Sequence, residues 1–183
     1  MSKSIDARIR KVAKGLSAQK AADAFVMARD NPASVSPAQR NKAAEFEATV
    51  EAMFLMAAVD GDLSAEELAQ VAASIDAFAS LDDSSRALDA PRKTIDTPAL
   101  LMAMNEKLGT DGWNKRLAAV AARLTDQESR AFAFRLAAGV AFVDDHVAHS
   151  EAAALEAMGS ALSISADESQ EILYDVREAL FAD

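Results

Sequence analysis

Two short acidic stretches carry the side chains best suited to chemistry. Residues 57–67 read A-A-V-D-G-D-L-S-A-E-E, and residues 141–151 read A-F-V-D-D-H-V-A-H-S-E. They share Ala57/Ala141, Val59/Val143, Asp60/Asp144 and Glu67/Glu151, with Leu63 answered by Val147. Asp60, Asp62, Glu66 and Glu67 in the first copy, and Asp144, Asp145, His146 and Glu151 in the second, are donors of the kind that hold a divalent cation. Carboxylate oxygens favour Ca²⁺, the first expectation for a ligand. Both histidines of the chain, His146 and His149, fall in the second copy, and imidazole beside carboxylate suits Zn²⁺ or another transition metal, the second expectation. No organic cofactor is implied.

The first copy has the Gly, apolar residue and Glu of the back half of a calcium EF-hand loop, but that register puts Met56 and Ala58 at the first and third ligand positions. Neither side chain offers oxygen, so an EF-hand is excluded. A purely structural account also exists. Gly61 supplies the positive φ that ends one helix, Leu63 anchors the corner, and Ser64 with Glu67 caps the next helix. That account leaves Asp60 over, because a carboxylate at a helix C-terminus faces the negative end of the helix dipole. In the second copy Gly61 becomes Asp145, Asp62 becomes His146 and Ser64 becomes Ala148, so the capping box is expected to be lost there.

The elements that position these corners are helices. Alanine and leucine are frequent, apolar positions recur at three and four, and no stretch reads as a strand. Ser36/Gln39, Ser64/Glu67, Thr125/Glu128 and Ser165/Glu168 read as capping boxes, and Thr97 before Pro98 as a further start. These signals predict helices near 4–15, 18–30, 37–59, 65–80, 98–108, 113–124, 126–143, 149–162 and 166–181, with Gly109 and Gly112 marking a turn. Residues 1–35 form a basic N-terminal helical segment. Residues 36–183 form an all-α bundle in two related helix-hairpin halves, about 36–81 and 97–181, joined by a polar linker at 82–96. Helices 37–59 and 126–143 take equivalent roles, which implies a pseudo-twofold relation. Trp113, Met102 and Met104 have core-compatible spacing and are expected inside.

Composition narrows the partners. A chain of 183 residues is long enough to bury a core without disulfides or structural metal. Cysteine is absent, which excludes thiolate chemistry and makes a reducing cytoplasm the expected location. No secretory h-region follows Met1, and apolar runs such as 136–143 are far short of the ~20 residues needed to span a bilayer. The net charge is −10, yet residues 1–20 hold Lys3, Arg8, Arg10, Lys11, Lys14 and Lys20 against Asp6 alone. The rest of the chain is therefore strongly acidic, which disfavours nucleic acid and favours cations or basic protein surfaces. The first helix sets Ile5, Ile9, Val12 and Leu16 against Arg8, Lys11 and Lys14, so residues 1–16 could lie on an anionic membrane, on a partner helix or on the bundle.

No G-x-S-x-G elbow, phosphate loop, H-E-x-x-H or Glu-x-x-His pair is present, so an enzyme is not expected. A metal-dependent hydrolase using Asp144, Asp145, His146 and His149 is the remote alternative.

The D-G-x-apolar-S-x-E-E corner after an apolar helix, followed by a weaker copy and the closing turn Leu162-Ser163-Ile164-Ser165, resembles the TerB family of tellurite-resistance proteins over residues 46–173. The residues that carry it are 53–68 and 136–155. The resemblance implies a compact all-helical domain in two halves. It also implies metal binding at Asp60, Asp62, Glu66 and Glu67 and at Asp144 and Glu151, and a protein partner within a membrane-associated stress complex. Asp145 and His146 depart from the motif. The competing expectation is a metal-free scaffold whose acidic face docks a basic protein surface.

Overall fold

A computed structural model describes residues 18–61, 63, 68–69, 71–73, 75, 95–142 and 148–181, with side chains from residue 23 onward. Within them the chain forms α1 (Ala18–Asp30), α2 (Pro37–Ala57), α3 (Thr97–Asp111), α4 (Trp113–Arg123), α5 (Gln127–Ala141), α6 (His149–Ala161) and α7 (Ala166–Phe181). Helical backbone also occurs at 68–69, 71–73 and 75, inside the helix expected at 65–80, and no strand occurs among the described residues. The helix expected at 4–15 and nearly all of the linker at 82–96 lie outside the described residues.

Helix α2 is the axis of the bundle. Ser36 caps it, its hydroxyl accepting from Gln39 N at 3.2 Å while Gln39 Oε1 accepts from Ser36 N at 2.8 Å, and Pro37 occupies the first turn, where its missing N–H costs nothing. From Ala48 to Met56 every residue is buried. A helix buried all round has to be enclosed by others. Accordingly α1, α4 and α5 pack along α2, with α3 and α6 touching it less extensively. Helix α5 is buried in the same way, from Phe132 to Ala138 apart from half-buried Arg135, and it also carries α6 and α7.

The starts of two helices shift by one residue from expectation. Asp96, not Thr97, caps α3, accepting from Ala99 N at 3.1 Å, and Thr97 is buried. Asp126, not Thr125, caps α5, accepting from Ser129 N at 2.8 Å. In both pairs an Asp adjoins a Thr, and a carboxylate accepts the orphan N–H more strongly. That bond from the Ser129 backbone is the leading reason the Asp126 carboxyl sits below the usual carboxylate range. Ser165 caps α7 as expected, accepting from Glu168 N at 3.2 Å, but the Glu168 carboxylate accepts from Gln127 Nε2 at 3.0 Å and ties α7 to the start of α5.

Two joints need special backbone. Gly109 lies within α3, and the turn falls at Gly112 alone, whose φ of 79° divides α3 from α4. The closing turn after α6 puts Ser163 at φ 58°, with Ile164 N donating to Gly159 O at 2.9 Å and Ser163 N to Ser160 O at 3.1 Å. This is a Schellman ending, with serine where glycine is commonest.

Of the residues expected in the core, Met104 is buried, Trp113 is half-buried with its indole Nε1 donating to Leu55 O at 2.9 Å, and Met102 is 75 % exposed. Met102 and Met104 cannot share a face, since two steps of about 100° set them nearly opposite on α3.

Candidate functional site

The first corner begins where α2 runs out. Ala58 N donates to Phe54 O at 2.9 Å, and Gly61, with φ 92°, turns the chain and donates to Ala58 O at 3.1 Å. Asp60 sits exposed in this turn, just beyond the carbonyl end of α2. Asp62, Glu66 and Glu67 lie outside the described residues, as do Asp144, Asp145 and His146 of the second corner. Glu151 is half-buried on the first turn of α6, and its Oε2 accepts from Ala148 N at 2.7 Å. The second corner therefore keeps half of its capping box: Ala148 has no hydroxyl to offer, but the returning carboxylate bond survives. His149 opens α6 and is exposed. Among the described residues no three His, Asp or Glu side chains come together as a metal-holding group.

Beside the first corner lies a feature that the sequence reading missed. Gly61, Leu63, Leu68 and Ala72 form one wall of a groove of about 600 Å³, and Leu101 and Met102 of α3 form the other, with Pro98 and Asn105 along the edge. Among the described residues, Asn105 is the only polar side chain lining it. Exposed Asp60 adjoins Gly61, and exposed Glu106 adjoins Asn105. A thioether exposed to water at the rim of an apolar slot is suited to binding another apolar surface. Among the described residues that line it, the slot has no nucleophile and no acid–base pair. Its signal in the sequence was the phase of α3, which sets Met102 nearly opposite buried Met104.

A second missed feature is a charge cluster between α2, α3 and α4. Glu51 of α2 is 1 % exposed, and its carboxylate accepts from Arg116 Nε at 2.7 Å and from the Arg123 guanidinium. Arg116 also donates to Asp111 at 3.1 Å, and Lys107 donates to Glu47 at 3.1 Å. Burial pushes the Glu51 carboxyl up, but the two guanidinium bonds outweigh burial and hold it below the usual range. Lys115 and Arg116 likewise lower the Asp111 carboxyl. With both oxygens engaged, Glu51 cannot serve as an acid or base. The cluster is a clamp that fixes α4, and through it α3, against α2.

Compared with models of protein families, with curated proteins and with solved structures, the chain has no match in any of the three. Among the described residues no helix is long and apolar enough to cross a membrane. Fold and site together define an all-helical domain with an apolar groove at an acidic corner.

Proposed function

We propose that this chain is a non-enzymatic adaptor, built as two related helix-hairpin halves in the TerB-like manner, that docks a basic amphipathic helix of a protein partner at its first corner. The observation that carries the reading is the groove between residues 61–72 and α3, whose described lining is apolar apart from Asn105, with exposed Asp60 and Glu106 next in sequence to lining residues Gly61 and Asn105. Helix-in-groove recognition places apolar residues spaced i, i+3/i+4, i+7 in such a slot, while flanking Lys and Arg meet the carboxylates. The acidic body draws such a partner in and repels nucleic acid. The TerB resemblance supports a stress-response complex as the setting.

The second reading is a divalent cation at the corners, Ca²⁺ first and Zn²⁺ at the histidine-bearing copy. Asp60 favours it, because a carboxylate beyond the carbonyl end of a helix is electrostatically unfavourable until a cation joins it. Nothing favours a hydrolase at the second corner, where Glu151 is turned back onto its own helix.

The test titrates the full chain into a labelled Leu/Lys amphipathic peptide, about 18 residues long so as to give five helical turns, and follows anisotropy. Binding is expected to saturate, to weaken as salt rises from ~0.1 to ~0.5 M, and to ignore EDTA. Met102→Glu, at a position exposed enough to leave the core intact, is expected to weaken it at least about tenfold, or ~1.4 kcal/mol. Equal affinity for wild type and Met102→Glu contradicts the docking reading. A thermal midpoint raised by Ca²⁺ or Zn²⁺, reversed by EDTA and lost in Asp60→Asn, would transfer the corner to cation binding.

A further inference from the structure

We infer that Asn105 fixes how a partner helix seats in the groove: the helix that fits carries one amide or hydroxyl side chain at the point of its apolar stripe that covers Asn105. The inference rests on the docking reading of the groove and deepens it by naming the chemistry of the partner.

The position of Asn105 is the first ground. Pro98, Leu101, Met102 and Asn105 line the groove from α3. Spacings of three and four put them on one face of the helix, and Asn105 stands one turn, about 5.4 Å, beyond the Leu101–Met102 pair. The face that a partner meets is therefore apolar for two turns and polar at the third. On the opposite wall the described residues, Leu63, Leu68 and Ala72 among them, carry no polar side chain. A partner covering the described lining thus finds a single carboxamide in an apolar slot.

The second ground is that nothing local accounts for an asparagine there. Near the middle of a helix asparagine is less favourable than alanine, leucine, glutamate or lysine, because its side chain competes for backbone hydrogen bonds. Two neighbours on α3 spend their polar groups within the protein: Lys107 Nζ donates to Glu47 at 3.1 Å, and Thr110 Oγ1 donates to Glu106 O at 3.0 Å. Asn105 is exposed, and among the described residues its carboxamide neither donates nor accepts a hydrogen bond. Its two N–H donors and its carbonyl oxygen are open to a partner.

Docking turns this into selection. An apolar side chain laid over Asn105 removes the carboxamide from water without replacing its bonds, and a polar group stranded in this way costs more than a made hydrogen bond gains. A partner Asn, Gln, Ser or Thr supplies the missing bond. Because the rest of the described lining rewards apolar contact, sliding the helix by one turn would strand both polar groups. The pair selects one register, as a single polar residue does in an apolar coiled-coil seam, and it discriminates against helices that are apolar throughout.

The test is a double-mutant cycle between the full chain and the Leu/Lys peptide, followed by anisotropy. The central Leu of the peptide is replaced by Asn or, to match the lost packing, by Ala. The protein is wild type or Asn105→Leu, a change at an exposed site that leaves the core intact. Wild type is expected to bind the Asn peptide at least about threefold more tightly than the Ala peptide, and Asn105→Leu to reverse that order by a similar factor. The coupling is then about tenfold, or ~1.4 kcal/mol. Asn105→Leu should also bind the unsubstituted peptide severalfold more tightly than wild type does. If Met102→Glu weakens binding of the unsubstituted peptide but wild type and Asn105→Leu rank the Asn and Ala peptides alike, the docking reading stands and the inference alone falls. If Met102→Glu leaves that binding intact, the docking reading falls and takes the inference with it.

Discussion

Arg116→Ala combined with Arg123→Ala is expected to cost about 3–5 kcal/mol of unfolding free energy at neutral pH, measured by chemical denaturation. The double variant strands the Glu51 carboxylate, which is 1 % exposed, without either of its donors. The reverse change should be milder. Glu51→Met is expected to cost less than half as much, because the Arg116 and Arg123 side chains are 13 % and 23 % exposed and can turn toward water. The pH dependence gives the same account a second check. In the wild type the folded-state Glu51 carboxyl lies below its ordinary value of 4.5, so its contribution is fully present above that value and is lost as pH falls through the lower folded one. With both arginines gone, burial alone acts on Glu51 and reverses the sign. The deficit of the double variant should therefore begin to shrink above pH 4.5, as falling pH protonates the stranded carboxyl, and keep shrinking below 4.5 as the wild type loses its own contribution. A deficit that is constant with pH, or equal costs for the double variant and Glu51→Met, would contradict the clamp.

Phe134→Ala should cost about 3–5 kcal/mol, toward the upper end, and lower the thermal midpoint by roughly 6–20 °C for a chain of this size. Phe134 of α5 is fully buried, and a Cβ placed on Gly159 of α6 would lie 3.6 Å from its Cε2. The ring thus fills space that Gly159, having no side chain, cannot fill, and the cavity has little to collapse into. Met102→Ala provides the contrast. Exposed at the rim of the groove, it should change stability by no more than about 0.5 kcal/mol. A small loss at Phe134 would mean that α5 and α6 are less closely packed than their burial implies.

The helices were legible because their ends are marked by residues with one local job. Ser36-Pro37 and Ser165 start helices where expected, and Gly112 divides two of them because it alone there takes a positive φ without strain. The starts at Asp96 and Asp126 were misplaced by one residue because each adjoins a threonine that caps almost as well. At the first of these the bundle buries Thr97 and leaves the cap to Asp96; at the second both Thr125 and Asp126 are exposed, and the carboxylate is the stronger acceptor. Glu51 was invisible for a related reason. A glutamate in an apolar helix reads as a solvated point on one face, and only the arrival of Arg116 and Arg123 from a distant helix makes its burial tolerable. The acidic corner was legible as a motif, and Asp60 is exposed there. The groove beside it was not, because its walls come from segments about 30 residues apart in sequence, brought together by helix packing rather than by any local pattern.

The most direct test of the docking face is a methyl-resolved NMR titration of the full chain with the Leu/Lys peptide. The account predicts that the methyls of Met102, Leu101, Leu63 and Leu68 shift together in a saturable way, while those of Leu173 and Val176 on α7 stay in place. Shifts confined to α5–α7, or none at Met102, would contradict it.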